Sequence, residues 1–137
     1  MLTKQLEKQW LYELLAVFIG GALGSLARFA LSVLIDLIPG AFPYATVIIN
    51  IAGSLIIGFC YIYFTHKRKS SIGIALINIG FLGGFTTFSS FSLDNVTLLE
   101  QSHFILFAIN LCATLVLCFS ATAIGIWFGK KCFQARP

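Results

Sequence analysis

The chain has 137 residues, of which 58% are hydrophobic and 10% charged, and its mean hydropathy is +0.94. A soluble domain of this length needs a charged surface that nine Lys and Arg and five Asp and Glu residues cannot supply. The basic residues behind the formal charge of +4 sit between apolar runs, so the charge reads as membrane topology rather than as a nucleic-acid face.

Four apolar segments follow one another, at about residues 11–38, 42–64, 71–99 and 104–129. Each meets the roughly 20 residues that cross a hydrocarbon core. The expected fold is an all-α membrane protein of four transmembrane helices, a single unit over residues 1–137. Lys4 and Lys8 before the first segment resemble a secretory leader, but the run is long and has no small-residue cleavage pattern, so it reads as a membrane helix.

In the first segment Gly20-Gly21-Ala22-Leu23-Gly24-Ser25 forms a small-residue face with GxxxG spacing, which lets another helix backbone approach. Arg28 follows it, the most costly residue to hold in a membrane. It either snorkels to the interface or pairs with Asp36, or its charge draws an anion toward a vestibule, and the two roles are compatible. In the second segment Thr46, Asn50 and Ser54 recur every four residues and form one polar stripe. Such a stripe either glues helices together or lines a solvent path. Asn50 is the stronger path residue, because its amide offers two N–H donors without a charge.

The third segment carries Gly80-Phe81-Leu82-Gly83-Gly84-Phe85-Thr86-Thr87-Phe88-Ser89-Ser90-Phe91-Ser92. Three glycines and adjacent threonines halfway across a membrane predict a broken helix. A break frees carbonyls that lipid cannot satisfy, and protein, water or an ion must fill the gap. A buried sodium ion suits such oxygens, although a packing kink needs none. Phe88 and Phe91 share a helix face, where they either pack or turn their positive ring edges toward a small anion. In the fourth segment Asn110, Thr114 and Cys118 repeat the four-residue rhythm, with the same choice between glue and pore.

Cys60, Cys112, Cys118 and Cys132 lack zinc-ligand spacing and read as small apolar residues. His66 and His103 stand at helix ends and read as solvated. Lys4, Lys8, Lys67, Arg68, Lys69, Lys130, Lys131 and Arg136 all fall on one side of the predicted topology, and the loops on the other side carry no basic residue. Both termini are therefore expected in the cytoplasm, in a multi-pass protein of the cell inner (plasma) membrane.

Three stretches, residues 20–29, 46–54 and the run at 80–92, resemble in sequence and order the three signatures of the Fluc/CrcB fluoride channels, and the four-helix plan extends the likeness over nearly the whole chain. The resemblance implies an antiparallel dimer enclosing two narrow fluoride pores, with a structural sodium ion at the dimer centre beside third helices broken at mid-membrane. It implies that Asn50 and Thr46 line the path, that Phe88 and Phe91 present ring edges to fluoride, and that Gly83 and Thr86 give sodium their backbone carbonyls. Arg28 would sit in an aqueous vestibule, and Ser92 and Thr114 on a polar track. The implied role is passive export of cytoplasmic fluoride.

The chain departs from the family pattern in its fourth helix and in its charge. Asn110 stands where an aromatic hydroxyl is frequent, and Cys118 where serine is common. The one-sided charge also differs from the weak bias of chains that insert both ways, which favours an oppositely biased paralogue over a second copy as the dimer partner. A four-helix proton-coupled exporter would need a mid-membrane carboxylate, yet Glu13, Asp36, Asp94 and Glu100 all lie toward helix ends. A non-conducting membrane subunit is the other rival. An enzyme is not expected, since no nucleophile, base and orienting group converge.

Overall fold

The computed structural model describes residues 2–66 and 71–134, with side chains over 7–66 and 71–133. Lys67, Arg68, Lys69 and Arg136, four of the eight one-sided basic residues, lie outside the described residues.

The first helix spans Leu2–Ile35 and the second Tyr44–His66. Asp36, Leu37 and Ile38, expected inside the first segment, belong instead to the connector. There the chain turns through Pro39 and Gly40; Gly40 has φ +143°, a backbone region closed to residues with a side chain. The third segment is compound. Its N-terminal limb, residues 71–85, begins α-helical at Ser71–Ile74, widens to a π-helix over Ala75–Leu82 and closes with the turn Gly83–Phe85. Thr86 and Thr87 are extended, and a C-terminal limb follows at Phe88–Glu100. A tight turn with Ser102 at φ 61° leads into the fourth helix, Phe104–Gln134. Among the described residues all regular structure is helical, and four spans are long and apolar enough to cross a membrane.

The helices associate in two pairs, the first with the N-terminal limb of the third and the second with the fourth. Between apolar helices in lipid there is no hydrophobic drive, so pairing depends on close packing. Glycine supplies it. A Cβ on Gly20 would strike the Leu76 carbonyl oxygen and one on Gly24 that of Phe81. Across the seam, a Cβ on Gly84 would lie 2.6 Å from the Gly21 oxygen and one on Gly80 2.8 Å from that of Val17. Gly58 and Gly125 do the same between the second and fourth helices, against the carbonyls of Thr122 and Leu55. The amide of Gln9 also reaches Ser71 Oγ at 3.2 Å, tying the first helix to the start of the third.

The buried core is small, built around Ala45, Ile49 and Phe85. Phe18, Leu26, Phe29 and Ile105 point outward, as suits a surface solvated by lipid.

Candidate functional site

The interruption at Thr86 and Thr87 redirects a set of backbone hydrogen bonds. In an unbroken helix the Thr87 N–H would serve the Gly83 carbonyl and the Ser90 N–H that of Thr86. Instead Thr87 N donates to Asn50 Oδ1 at 2.8 Å, and Ser90 N to Thr87 Oγ1 at 3.1 Å. The carbonyls of Gly83 and Thr86 thus lose their helical donors. A Cβ on Gly83 would meet no atom within 4 Å beyond its own neighbours and turn of helix.

Two neighbouring carbonyls are claimed by side chains. Asn50 Nδ2 donates to the Thr87 oxygen at 3.0 Å, so one asparagine satisfies both backbone groups of Thr87. Arg28 Nε donates to the Gly84 oxygen at 3.1 Å, and Ser25 Oγ reaches the same oxygen at 3.5 Å. Arg28 makes no ion pair with Asp36 among the described residues; its guanidinium is engaged by the backbone just before the break.

Asn50 also lines a groove of about 370 Å³ between the second helix, the break and the fourth helix. Phe88 and Phe91 stand along it, their ring centroids 5.7 Å apart and their planes tilted by 46°. Phe88 is 76% exposed and Phe91 5%. The fourth helix contributes Thr114 and Cys118. The Thr114 hydroxyl is directed at Asn110 Oδ1, 3.4 Å away, and Asn110 is fully buried with its Nδ2 unpaired. The lining carries hydroxyls, one amide, one thiol, rings and the aliphatic Ile57 and Leu115, and no charged side chain. Such a surface can replace the water of a small ion with weak donors and ring edges without trapping it.

The groove therefore gathers Asn50, Phe88, Phe91, Thr114 and Thr86 of the sequence-expected residues. Others stand elsewhere. The Thr46 hydroxyl lies against the Asp94 carboxylate. Ser92 Oγ bonds back to the Phe88 carbonyl at 2.9 Å. Arg28 and Gly83 lie on the Gly84 side of the break. Sequence reasoning did not single out Thr122, although it extends the four-residue rhythm of Thr114 and Cys118 by one turn and lines the groove. Nor did it find Asn95, whose buried amide donates to the Phe91 carbonyl at 2.7 Å and anchors that aromatic residue's own turn.

Residues 15–126 match the family described as CrcB-like protein, Camphor Resistance (CrcB). The chain belongs to the CrcB family. It is 37% identical over 122 residues to the fluoride-specific ion channel FluC of Coxiella burnetii, covering 87% of this chain and 98% of that one. A FluC of Campylobacter lari is 38% identical over 88% of this chain and 97% of its own. One from Methylobacterium radiotolerans reaches 44% over 80% of this chain and 78% of its own. The matched stretch of this CrcB chain runs from the first glycine face through the break and into the fourth helix, and so contains every residue of the groove.

Proposed function

We propose that this multi-pass membrane protein is a subunit of a fluoride-specific ion channel that lets cytoplasmic fluoride leave passively through the groove. The observation that carries the reading is the convergence of Asn50, Phe88, Phe91 and Thr114 on one uncharged channel-like surface. Fluoride is small and strongly hydrated, so passage requires donors that replace its water and no cationic trap that would hold it. Asn50 and the hydroxyls are such donors, and the ring edges of Phe88 and Phe91 carry partial positive charge. Arg28, outside the groove, supplies positive potential near the break without blocking the path.

A structural sodium ion fits the same reading. The carbonyls of Gly83 and Thr86 are stripped of helical donors, which suits a hard cation that prefers oxygen ligands. Bound there, the ion would hold the break in shape.

The groove is open along one side in the single chain, and an antiparallel dimer would enclose it. The partner we favour is an oppositely charge-biased paralogue, for the topological reason already given. The test is direct: the purified chain, alone and with such a partner, is placed in liposomes and efflux is followed with fluoride- and chloride-selective electrodes. Fluoride release without chloride release supports the reading, and equal release of both, or of neither in any assembly, overturns it.

A further inference from the structure

Hydroxyls inside an apolar helix ordinarily donate to the carbonyl four residues earlier, which removes them as donors to anything else. Four hydroxyls of this chain follow that habit. Thr65 bonds to Tyr61, Thr86 to Leu82, Ser92 to Phe88 and Thr122 to Cys118, at 2.7 to 3.0 Å. Along the groove the remaining hydroxyls are also committed, Thr87 to Ser89 and Ser90 and Thr114 to Asn110. Among the groove's hydroxyls Ser54 is the exception. It lines the groove, is half-buried, and among the described residues makes no hydrogen bond, not even to the carbonyl of Asn50 one turn earlier.

Asn50 has a donor left over as well. Its Nδ2 has two N–H bonds and the Thr87 carbonyl takes one. Residues 50 and 54 are four apart, so their side chains stand one above the other on the same helix face. The groove wall thus holds two adjacent uncommitted donors in a region without any charged side chain, and a buried donor left without an acceptor is costly.

We infer that Ser54 is an anion-coordinating residue, its hydroxyl and the second N–H of Asn50 forming a two-donor subsite for a small hard anion, an inference that rests on the channel reading above. The subsite lies one helical turn from the break toward the His66 end, so it takes the anion on the far side of Asn50 from Thr46. The fourth helix faces it with Cys118 and Thr122, whose thiol and committed hydroxyl compete little for the same anion.

The experiment uses liposomes holding whichever assembly passes fluoride, this chain alone or with its partner, and reads initial efflux over a range of fluoride concentrations. Ser54→Ala keeps the backbone and removes the donor, and Ser54→Cys keeps the volume with only a weak S–H donor. Both are expected to slow fluoride about tenfold to a hundredfold, the loss usual for one hydrogen bond to a charged group. Ser54→Thr restores a hydroxyl and is expected to remain within about threefold of the unmodified protein, a margin well below the loss of that bond. All are judged on protein that elutes as a single species in size-exclusion chromatography. Unchanged flux in Ser54→Ala or Ser54→Cys overturns the subsite, and so does equal loss in Ser54→Thr, which would mean that the position responds to shape alone. If the unmodified protein passes no fluoride in either assembly, the channel reading itself fails and the subsite with it.

Discussion

At the scale of single residues the two phenylalanines of the groove are not equivalent. Phe91 is 5% exposed and its carbonyl accepts the Asn95 amide, whereas Phe88 is 76% exposed beside it. Replacing a buried phenylalanine with the smaller, differently shaped isoleucine costs about 1 kcal/mol or more, so Phe91→Ile should lose both stability and flux. Phe88→Ile removes a ring edge from an open position and should lose fluoride flux at unchanged melting temperature. Efflux and thermal melts of the two variants, measured side by side, check the separation; full flux in Phe88→Ile would make that ring packing alone. The sequence made these rings and Asn50 visible as a shared face and an uncharged donor. It could not reveal that Asn50 caps Thr87 from both sides, because that bond joins residues 37 apart in the chain. Periodicity reports which face a residue occupies and is silent on which backbone group lies opposite.

At the scale of helices, the seam between the first helix and the N-terminal limb of the third depends on particular glycines. A methyl added at Gly24 meets the Phe81 carbonyl of the backbone, which cannot rotate away, while one at Gly21 comes no closer than 3.9 Å to the Gly80 oxygen. The same chemical change therefore has opposite consequences one residue face apart. Gly24→Ala should cost at least about 2 kcal/mol, as an overpacked interface does, and lower the monodisperse yield; Gly21→Ala should behave as the unmodified chain in the same size-exclusion and melting measurements. The approach surface at Gly20 and Gly24 was legible from its spacing. Its counterpart at Gly58 and Gly125 was overlooked, although Gly125 and Gly129 repeat that spacing. The interruption of the third segment falls at the threonines, whose extended backbone is stabilised by Asn50, while Gly83 and Gly84 remain helical. The π-helix over Ala75–Leu82 has no counterpart in the sequence pattern, since an apolar run of Ala, Leu, Ile and Phe serves an α- or a π-helix alike.

At the scale of the molecule, four spans return the C-terminus to the side of the N-terminus, and the described connectors at residues 36–43 and 101–103 hold no Lys or Arg. Lys130 and Lys131 are exposed at the far end of the fourth helix, with Lys131 Nζ 5.4 Å over the Trp127 ring. This is the amphipathic pairing of ring and ammonium found at membrane interfaces. The sequence pattern puts Lys4, Lys8, Lys67, Arg68, Lys69 and Arg136 on the side of the termini as an expectation, from which insertion should be almost entirely in one orientation and a reporter fused to the C-terminus should read cytoplasmic. An antiparallel channel needs one subunit facing each way, so a chain that inserts one way cannot supply both halves. Small-residue faces accept a related backbone as readily as an identical one, and a paralogue of opposite bias would complete the pair. Expression of this chain alone in fluoride-sensitive cells is then expected to rescue growth weakly. Rescue should rise with the reversed-bias partner, and should also rise when Lys67→Gln, Arg68→Gln and Lys69→Gln are combined to loosen the orientation. Full rescue by the unmodified chain alone, with the C-terminal reporter found on both sides of the membrane, would instead assign the partner role to a second copy of this chain.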